Sequence, residues 1–421
     1  MERIIHVLIL VTLFLLPLSQ ARVVLSGLPL YLPEILIGVS WVTFLFAFPV
    51  CRVPKRLPWP IVFGIGLFFV GAIVSAAYSG WGVLELGALK SWIIFPVSFG
   101  YIVYQSLVSV ADRRRMSLWL FLGSVVTAAV SLLPFPFVHI AYDGRLASMY
   151  PSPNHLSMAL APGVIIGMYL LFSHESKRRS GIITAFSAGI GLLAYAIFRT
   201  ESVGGLVATT ASLFTLLALS FFPKWASFQR TIMAILIVVV LVVVSVGAVR
   251  IDWSRLGDGT VRSSLGSRAM IWNASFRMIH EHPVTGIGLR QFEKEYLSLQ
   301  DEFPPYLEWA VPHPHNILLA LWLQSGLSGL VGLTFTFGYS IRKVWIGLAD
   351  ARTRDVRQEA ALYLSLAVLI LVHGMVDVPF FRNDSAIRFF ALLGLMSAFS
   401  YSVNQQETKK RSPSLMAGDA L

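Results

Sequence analysis

Apolar runs of about twenty residues recur from one end of this chain to the other, and they leave it few ways to fold. A run of that length crosses the ~30 Å hydrocarbon core of a bilayer as a helix, which pairs every backbone group without water. Such segments are read near residues 4–20, 30–50, 60–79, 88–110, 116–134, 153–173, 181–198, 203–222, 231–250, 315–339, 359–377 and 385–403. Composition agrees. Of the 421 residues 56% are hydrophobic and only 13% charged, where soluble domains carry about 25% charged residues. The expected fold is therefore an all-α polytopic membrane protein of about twelve transmembrane helices. It divides into residues 1–250 with nine spans, a long, partly helical loop over 251–314, three spans over 315–404 and a polar, basic, disordered tail over 405–421. The first run, Ile4–Leu18, has the apolar core of a signal peptide. One arginine precedes it and no small-x-small cleavage site follows, so it is read as a span. The single cysteine, Cys51, excludes an internal disulfide framework.

A net charge of +11 raises the question of nucleic acid, but the basic residues flank the apolar runs. Arg52, Lys55 and Arg56, then Arg113-Arg114-Arg115, Lys177-Arg178-Arg179, Lys224 with Arg230, and Arg342-Lys343 through Arg357 fall on alternate loops, and Lys409-Lys410-Arg411 lies in the tail. That alternation is the positive-inside pattern. It places both termini in the cytoplasm and the 251–314 loop on the opposite face. No nucleic-acid partner is expected.

The loop ends in Pro312-His313-Pro314-His315-Asn316, at the lip of a membrane helix. Histidine titrates near neutral pH and can take and return a proton. The plainer reading is a helix start, with Asn316 as N-cap. Upstream, Ser267–His282 has helical periodicity. Ser267 is a candidate N-cap, and Ile271, Trp272, Phe276 and Ile279 share a face with Arg268 at its centre. A cation on a buried face needs a partner, either Glu293 or Glu295 or an anionic ligand. Arg145, Arg199, Arg382 and Arg388 sit at the same outer edge, and Arg290 lies in the loop. Each taken singly reads as an interfacial arginine, whereas together they suit a diphosphate, whose oxygens guanidinium groups grip bidentately. Gly326, Gly329 and Gly332 read as a helix-packing stripe, and Gly286-Ile-Gly288 as a turn. His280-Glu281-His282 lacks zinc spacing and reads as a solvated helix end. No Asp-x-Asp pair occurs in an outer loop, so no metal and no cofactor are expected.

These residues resemble the O-antigen ligase and polymerase family of bacterial envelope polysaccharide enzymes. The resemblance rests on His315-Asn316 followed by Gly326-x-x-Gly329, and on Gly266-Ser-Arg268 with Trp272, His282-Pro-Val-Thr-Gly286-Ile-Gly288 and Phe292. Pro151-Ser-Pro-Asn154 and His373-Gly374 with Asp377 complete it. Together these cover about 260 residues of the C-terminal part, and the first 140 match only in hydropathy. Many members carry Ser-Arg-Gly near residue 200; here Glu201-Ser202-Val203-Gly204 stands there, and Arg199 lies one turn earlier. The resemblance implies a GT-C-like glycosyltransferase of the bacterial inner membrane with its site on the periplasmic face. It implies metal-independent, inverting transfer of polysaccharide from undecaprenyl diphosphate to a sugar hydroxyl of lipid A-core. His315 is then the expected base, with His313 and Asn316 orienting it. Arg268, Arg199, Arg145 and Arg290 are the expected diphosphate-binding groups. A polymerase using the same donor is the near alternative, and a transporter or flippase of lipid-linked sugar the distant one.

Overall fold

A computed structural model describes residues 2–19, 21–25, 28–51, 55–107, 109–141, 143–172, 180–221, 264–302 and 311–416. The span expected at 231–250 and the first part of the long loop lie outside the described residues. The helices in chain order are α1 (Glu2–Phe14), α2 (Leu32–Cys51), α3 (Trp59–Tyr78), α4 (Val83–Ala88), α5 (Phe95–Ser106), α6 (Val110–Ser131), α7 (Pro153–Phe172), α8 (Ser180–Arg199), α9 (Val203–Phe221), α10 (Ser264–Glu281), α11 (Phe292–Ser298), α12 (Ile317–Ala349), α13 (Arg354–Gly374) and α14 (Asn383–Met416). A π-helical turn, Leu89–Ile94, joins α4 to α5. Two antiparallel hairpins, β1 (Arg22–Leu25) with β2 (Leu28–Tyr31) and β3 (His139–Ile140) with β4 (Leu146–Ser148), complete the elements.

Among the described residues eight helices are long and apolar enough to cross a membrane. Two shorter apolar helices, Arg3–Phe14 and Leu32–Phe46, coincide with the first two expected spans. The expected 116–134 span falls within α6, whose helix begins earlier and carries Arg113-Arg114-Arg115 in its first turns. The basic-loop pattern places these arginines in a loop. Arg113 is instead buried in an ion pair with Glu359 of α13, which also accepts from the Tyr363 hydroxyl at 2.8 Å. A second charged pair, Lys90 with Glu34, joins the π-helical turn to α2.

Small residues set the closest approach. α3 and α12 run antiparallel: a Cβ on Gly71 would strike the Ser325 carbonyl and the Gly329 amide, and one on Gly332 the Gly64 carbonyl. This is the packing expected of Gly329 and Gly332. Gly326 does something else. It breaks α12, with φ 66° and ψ 179°, and the 283–287 turn enters the break. The Leu327 amide donates to the Val284 carbonyl at 2.9 Å and the Ile287 amide to the Leu323 carbonyl at 2.7 Å. Gly286 and Gly288 also have positive φ. The two glycine motifs are thus halves of one backbone joint, in which inserted loop amides and carbonyls replace the lost helical bonds.

α10 departs from its expected form in two ways. It starts at Ser264, so Ser267 lies inside the helix rather than capping it. Its buried side is built from Ile271, Ala274, Met278 and Ile279, while Phe276 is 59% exposed.

Replacing Gly326 by Ala puts a side chain at positive φ with its Cβ 2.5 Å from the Val284 carbonyl. Backbone strain alone is worth about 1–3 kcal/mol. We expect Gly326→Ala to lower the melting temperature of the detergent-purified protein, while Gly338→Ala, whose Cβ would meet nothing within 4 Å, leaves it unchanged.

Candidate active site

The chain preceding α12 (Val311–Asn316) and the link between α13 and α14 (Met375–Arg382) lie side by side, and α10 fastens both. The Arg268 Nε donates to the Val376 carbonyl at 3.0 Å, next to Asp377. The Trp272 Nε1 donates to the Pro314 carbonyl at 3.0 Å, next to His315. Asn316 caps α12, its Oδ1 accepting from the Leu318 and Leu319 amides at 3.0 and 3.2 Å, and its Nδ2 donates to the Met375 carbonyl at 3.2 Å. Asn316 is thus the helix cap, and its amide also holds the neighbouring segment rather than contacting His315.

His315 has φ 48°, a left-handed conformation that is uncommon for a residue with a Cβ. It brings the ring against Asp377, with Nδ1 3.2 Å from Oδ1. The His313 ring lies 4.5 Å from the His315 ring, centroid to centroid, and 5.7 Å from that of His155. His155, at the start of α7, is held by Ser152, whose Oγ is 3.1 Å from its Nδ1. Asp377 is almost wholly buried. Burial pushes its carboxyl up, but the hydrogen bond and charge of His315, with His313 and His155 beyond, outweigh that and hold it well below the ordinary carboxylate range. Burial, then the neighbouring His315, lowers His313 to about 4 against the attraction of Asp377, with Arg382 adding to the fall. The site thus combines an ionised carboxylate with a neutral second imidazole.

The carboxylate accepts at His315 Nδ1, so the Nε2 of that ring is the atom left with a lone pair. The other Asp377 oxygen, Oδ2, and His313 Nδ1 are buried without a hydrogen-bond partner among the described residues. His155, His313 and Asp377 each offer a ligand atom, all within 4.8 Å of one another, a set able to surround a metal ion.

Arginines border this cluster. Arg382 lies 5.0 Å over the Tyr150 ring and pairs with Asp384 at 3.1 Å, and Arg388 meets the other Asp384 oxygen at 3.1 Å. Arg388, Ser385 and His373 stand at the polar end of an apolar cavity between α1, α6, α7, α13 and α14, lined otherwise by residues such as Leu120, Ile166 and Leu392.

Of the expected diphosphate-binding arginines, only Arg268 touches the segments carrying the histidines and Asp377. Arg145 pairs with Asp143 at 2.6 Å. Arg199 is exposed and donates to the Tyr195 hydroxyl at 3.4 Å. Arg290 lies 5.9 Å from the Trp92 ring. The α9 start does reach the cluster: a Cβ on Gly204 would press on Val376 and lie 3.8 Å from the His373 ring. His155, Tyr150 and Asp384 received no site role from the sequence, and Arg382 and Arg388 entered only among the outer-edge arginines. Tyr150-Pro-Ser-Pro-Asn154-His155 and Arg382-Asn383-Asp384 were visible as polar runs at helix ends.

The fold and site define a polytopic helical membrane protein with a histidine–carboxylate centre at one end of its bundle. Residues 188–334 match the family model described as O-antigen ligase. The matched region holds Arg199, Arg268, His313 and His315, while Asp377 lies beyond it. No curated protein matches the chain. The match supports an O-antigen ligase or polymerase class of activity, with lipid-linked glycan substrates.

His313 binds fewer protons folded than unfolded between its usual value near 6.5 and about 4. Its contribution is therefore complete above 6.5 and is lost as pH falls through that window. We expect thermal stability to decline across it in the wild type, and the decline to be shallower in His313→Gln, measured in detergent by intrinsic fluorescence.

Proposed function

We propose that this protein transfers a glycan from a lipid diphosphate to a sugar hydroxyl, with inversion, at the end of the bundle that carries His315. The observation that carries the reading is the His315–Asp377 pair. A sugar hydroxyl is a poor nucleophile at neutral pH and needs a base within hydrogen-bond reach as it attacks. Asp377 fixes the His315 ring and its tautomer, leaving Nε2 to accept the hydroxyl proton, and its charge stabilises the imidazolium that forms. The acceptor oxygen then bonds to the anomeric carbon as the bond from that carbon to the diphosphate oxygen breaks, and the lipid diphosphate leaves with the electron pair.

Arg268 is the expected arginine nearest the cluster and would offset charge growing on the leaving diphosphate. Arg382 and Arg388 join it in this reading, Arg388 at the polar end of the apolar cavity, which would take part of the lipid's hydrocarbon chain. Arg145, Arg199 and Arg290 would reach a donor only by leaving their present partners. The positive-inside charge pattern supports placing this end on the periplasmic face, with undecaprenyl diphosphate as donor carrier and lipid A-core as acceptor. A polymerase would use the same base and donor and another lipid-linked chain as acceptor.

Purified protein supplied with an undecaprenyl diphosphate glycan and either lipid A-core or a second lipid-linked chain separates these two. We expect transfer to lipid A-core. His315→Ala should reduce transfer to background, and Asp377→Asn should slow it by about 10²–10⁴-fold, with donor lipid still bound by both. Normal turnover by His315→Ala would remove it as the base.

In the same assay we expect chelation to leave the rate unchanged. Loss of activity with a chelator, restored by zinc, would replace this mechanism by one in which His155, His313 and Asp377 hold a metal.

A further inference from the structure

At the opposite end of the bundle a second pocket opens where α3, α5, α12 and α14 meet. The ordinal run of α12 separates it from His315: Lys343 follows by seven to eight turns, roughly 40 Å at 1.5 Å per residue. It belongs to the side that the basic-loop pattern assigns to the cytoplasm.

The lining is basic and hydroxylic. Arg56 and Lys343 enter it with Tyr339, Tyr401, Ser397 and Asn404, and no carboxylate lines it. Neither Arg56 nor Lys343 has an acidic partner among the described residues. Lys343 lies 5.8 Å from the Tyr339 ring. The neighbouring Lys55 is committed elsewhere: its ammonium donates to the Tyr104 and Gln105 carbonyls at 3.1 and 2.6 Å, at the end of α5. It also lies 5.6 Å from both the Tyr104 and Tyr401 rings. Ser340 and Ser400 hydroxyls donate to carbonyls of their own helices at 2.9 and 2.8 Å, which leaves their oxygens able to accept rather than donate. An ordinary interfacial arginine or lysine snorkels to whatever lipid is near. Here two cations without carboxylates share one concave, aromatic-walled site formed by four helices.

We propose that this pocket binds the phosphate-bearing headgroup of an anionic phospholipid. Arg56 would grip the phosphate oxygens in bidentate fashion and Lys343 would add a point charge, with Tyr339 walling the site. The two cations match one phosphodiester charge with a surplus, which favours an anionic lipid over a zwitterionic one. The proposal does not depend on the reaction assigned to the other end. Its interest is that α12 and α14, which border this pocket, begin beside His315 and beside the Arg388 cluster respectively.

The test is native mass spectrometry of the full-length protein released from nanodiscs of phosphatidylcholine with and without phosphatidylglycerol. We expect the wild type to retain phosphatidylglycerol in preference to phosphatidylcholine, and Arg56→Gln/Lys343→Gln to retain it at least about tenfold less. Arg342→Gln removes a neighbouring charge that does not line the pocket and should behave as wild type. Equal retention by the double variant and the wild type, or no preference for phosphatidylglycerol, overturns the proposal. Should the double variant fail to fold, Lys343→Gln alone carries the same comparison. Inorganic phosphate and glycerol 1-phosphate, added to delipidated protein, distinguish the source. A thermal shift lost in the variant shows that the headgroup suffices. A shift with phosphatidylglycerol alone shows that the acyl chains are needed, and both results support a phosphate site.

Discussion

The arrangement at the histidine end depends on keeping one carboxylate charged where water is scarce. Taking an ion out of water costs several kcal/mol even after the surroundings relax, and Asp377 is almost wholly buried. What compensates it is local: the His315 ring at 3.2 Å and the Val378 amide donating at 2.8 Å to the same oxygen. The carboxylate therefore dictates the position of the imidazole. That explains a His315 backbone held at φ 48°, a conformation costing about 1–3 kcal/mol. The cost is met by ties on both sides, Pro314 through Trp272 and Asn316 through its cap and Met375.

The same logic changes the meaning of α10. On the sequence, Arg268 was a buried cation in search of an anion. In the fold it bonds the carbonyl beside Asp377, while Trp272, one turn further along, bonds the carbonyl beside His315. A single helix thus fixes the spacing between base and carboxylate from outside. A substitution at Arg268 would act on donor charge and on His315 geometry together. Donor affinity and the pH profile of turnover would have to be measured separately to tell the two apart.

Much of the architecture was legible because its signals are local. Twenty-residue apolar runs and basic loops located the helices, and Asn316 announced a helix start. What was missed depends on partners distant in sequence. Gly326 looked like a member of a packing stripe with Gly329 and Gly332, since all three fall on one face. Only Gly329 and Gly332 meet α3; Gly326 is where the 283–287 turn enters the helix, a relation that spacing within one segment does not encode. Phe276 was assigned to the buried face by its angle, but α10 turns its Ile271–Met278 side inward and leaves Phe276 exposed. Arg113 sat in a run of three arginines that any loop would carry, and its burial follows from Glu359, far along the chain.

The arginines show the limit most clearly. Arg145 and Arg199 stand at the outer edge in the sequence, as do Arg382 and Arg388, and Arg290 lies in the outer loop. Sequence position could not rank the five, because the ranking depends on whether a helix end approaches the histidines. Arg382 and Arg388 do so because Asp384, at the start of α14, draws both toward the end of the apolar cavity. An arginine pair sharing one carboxylate keeps a net positive charge. That excess is what an arriving diphosphate would meet, beside a base held ready by another buried acid. Two carboxylates, Asp377 and Asp384, then do different work from similar depths: one orients an imidazole, and the other gathers guanidinium groups without neutralising them.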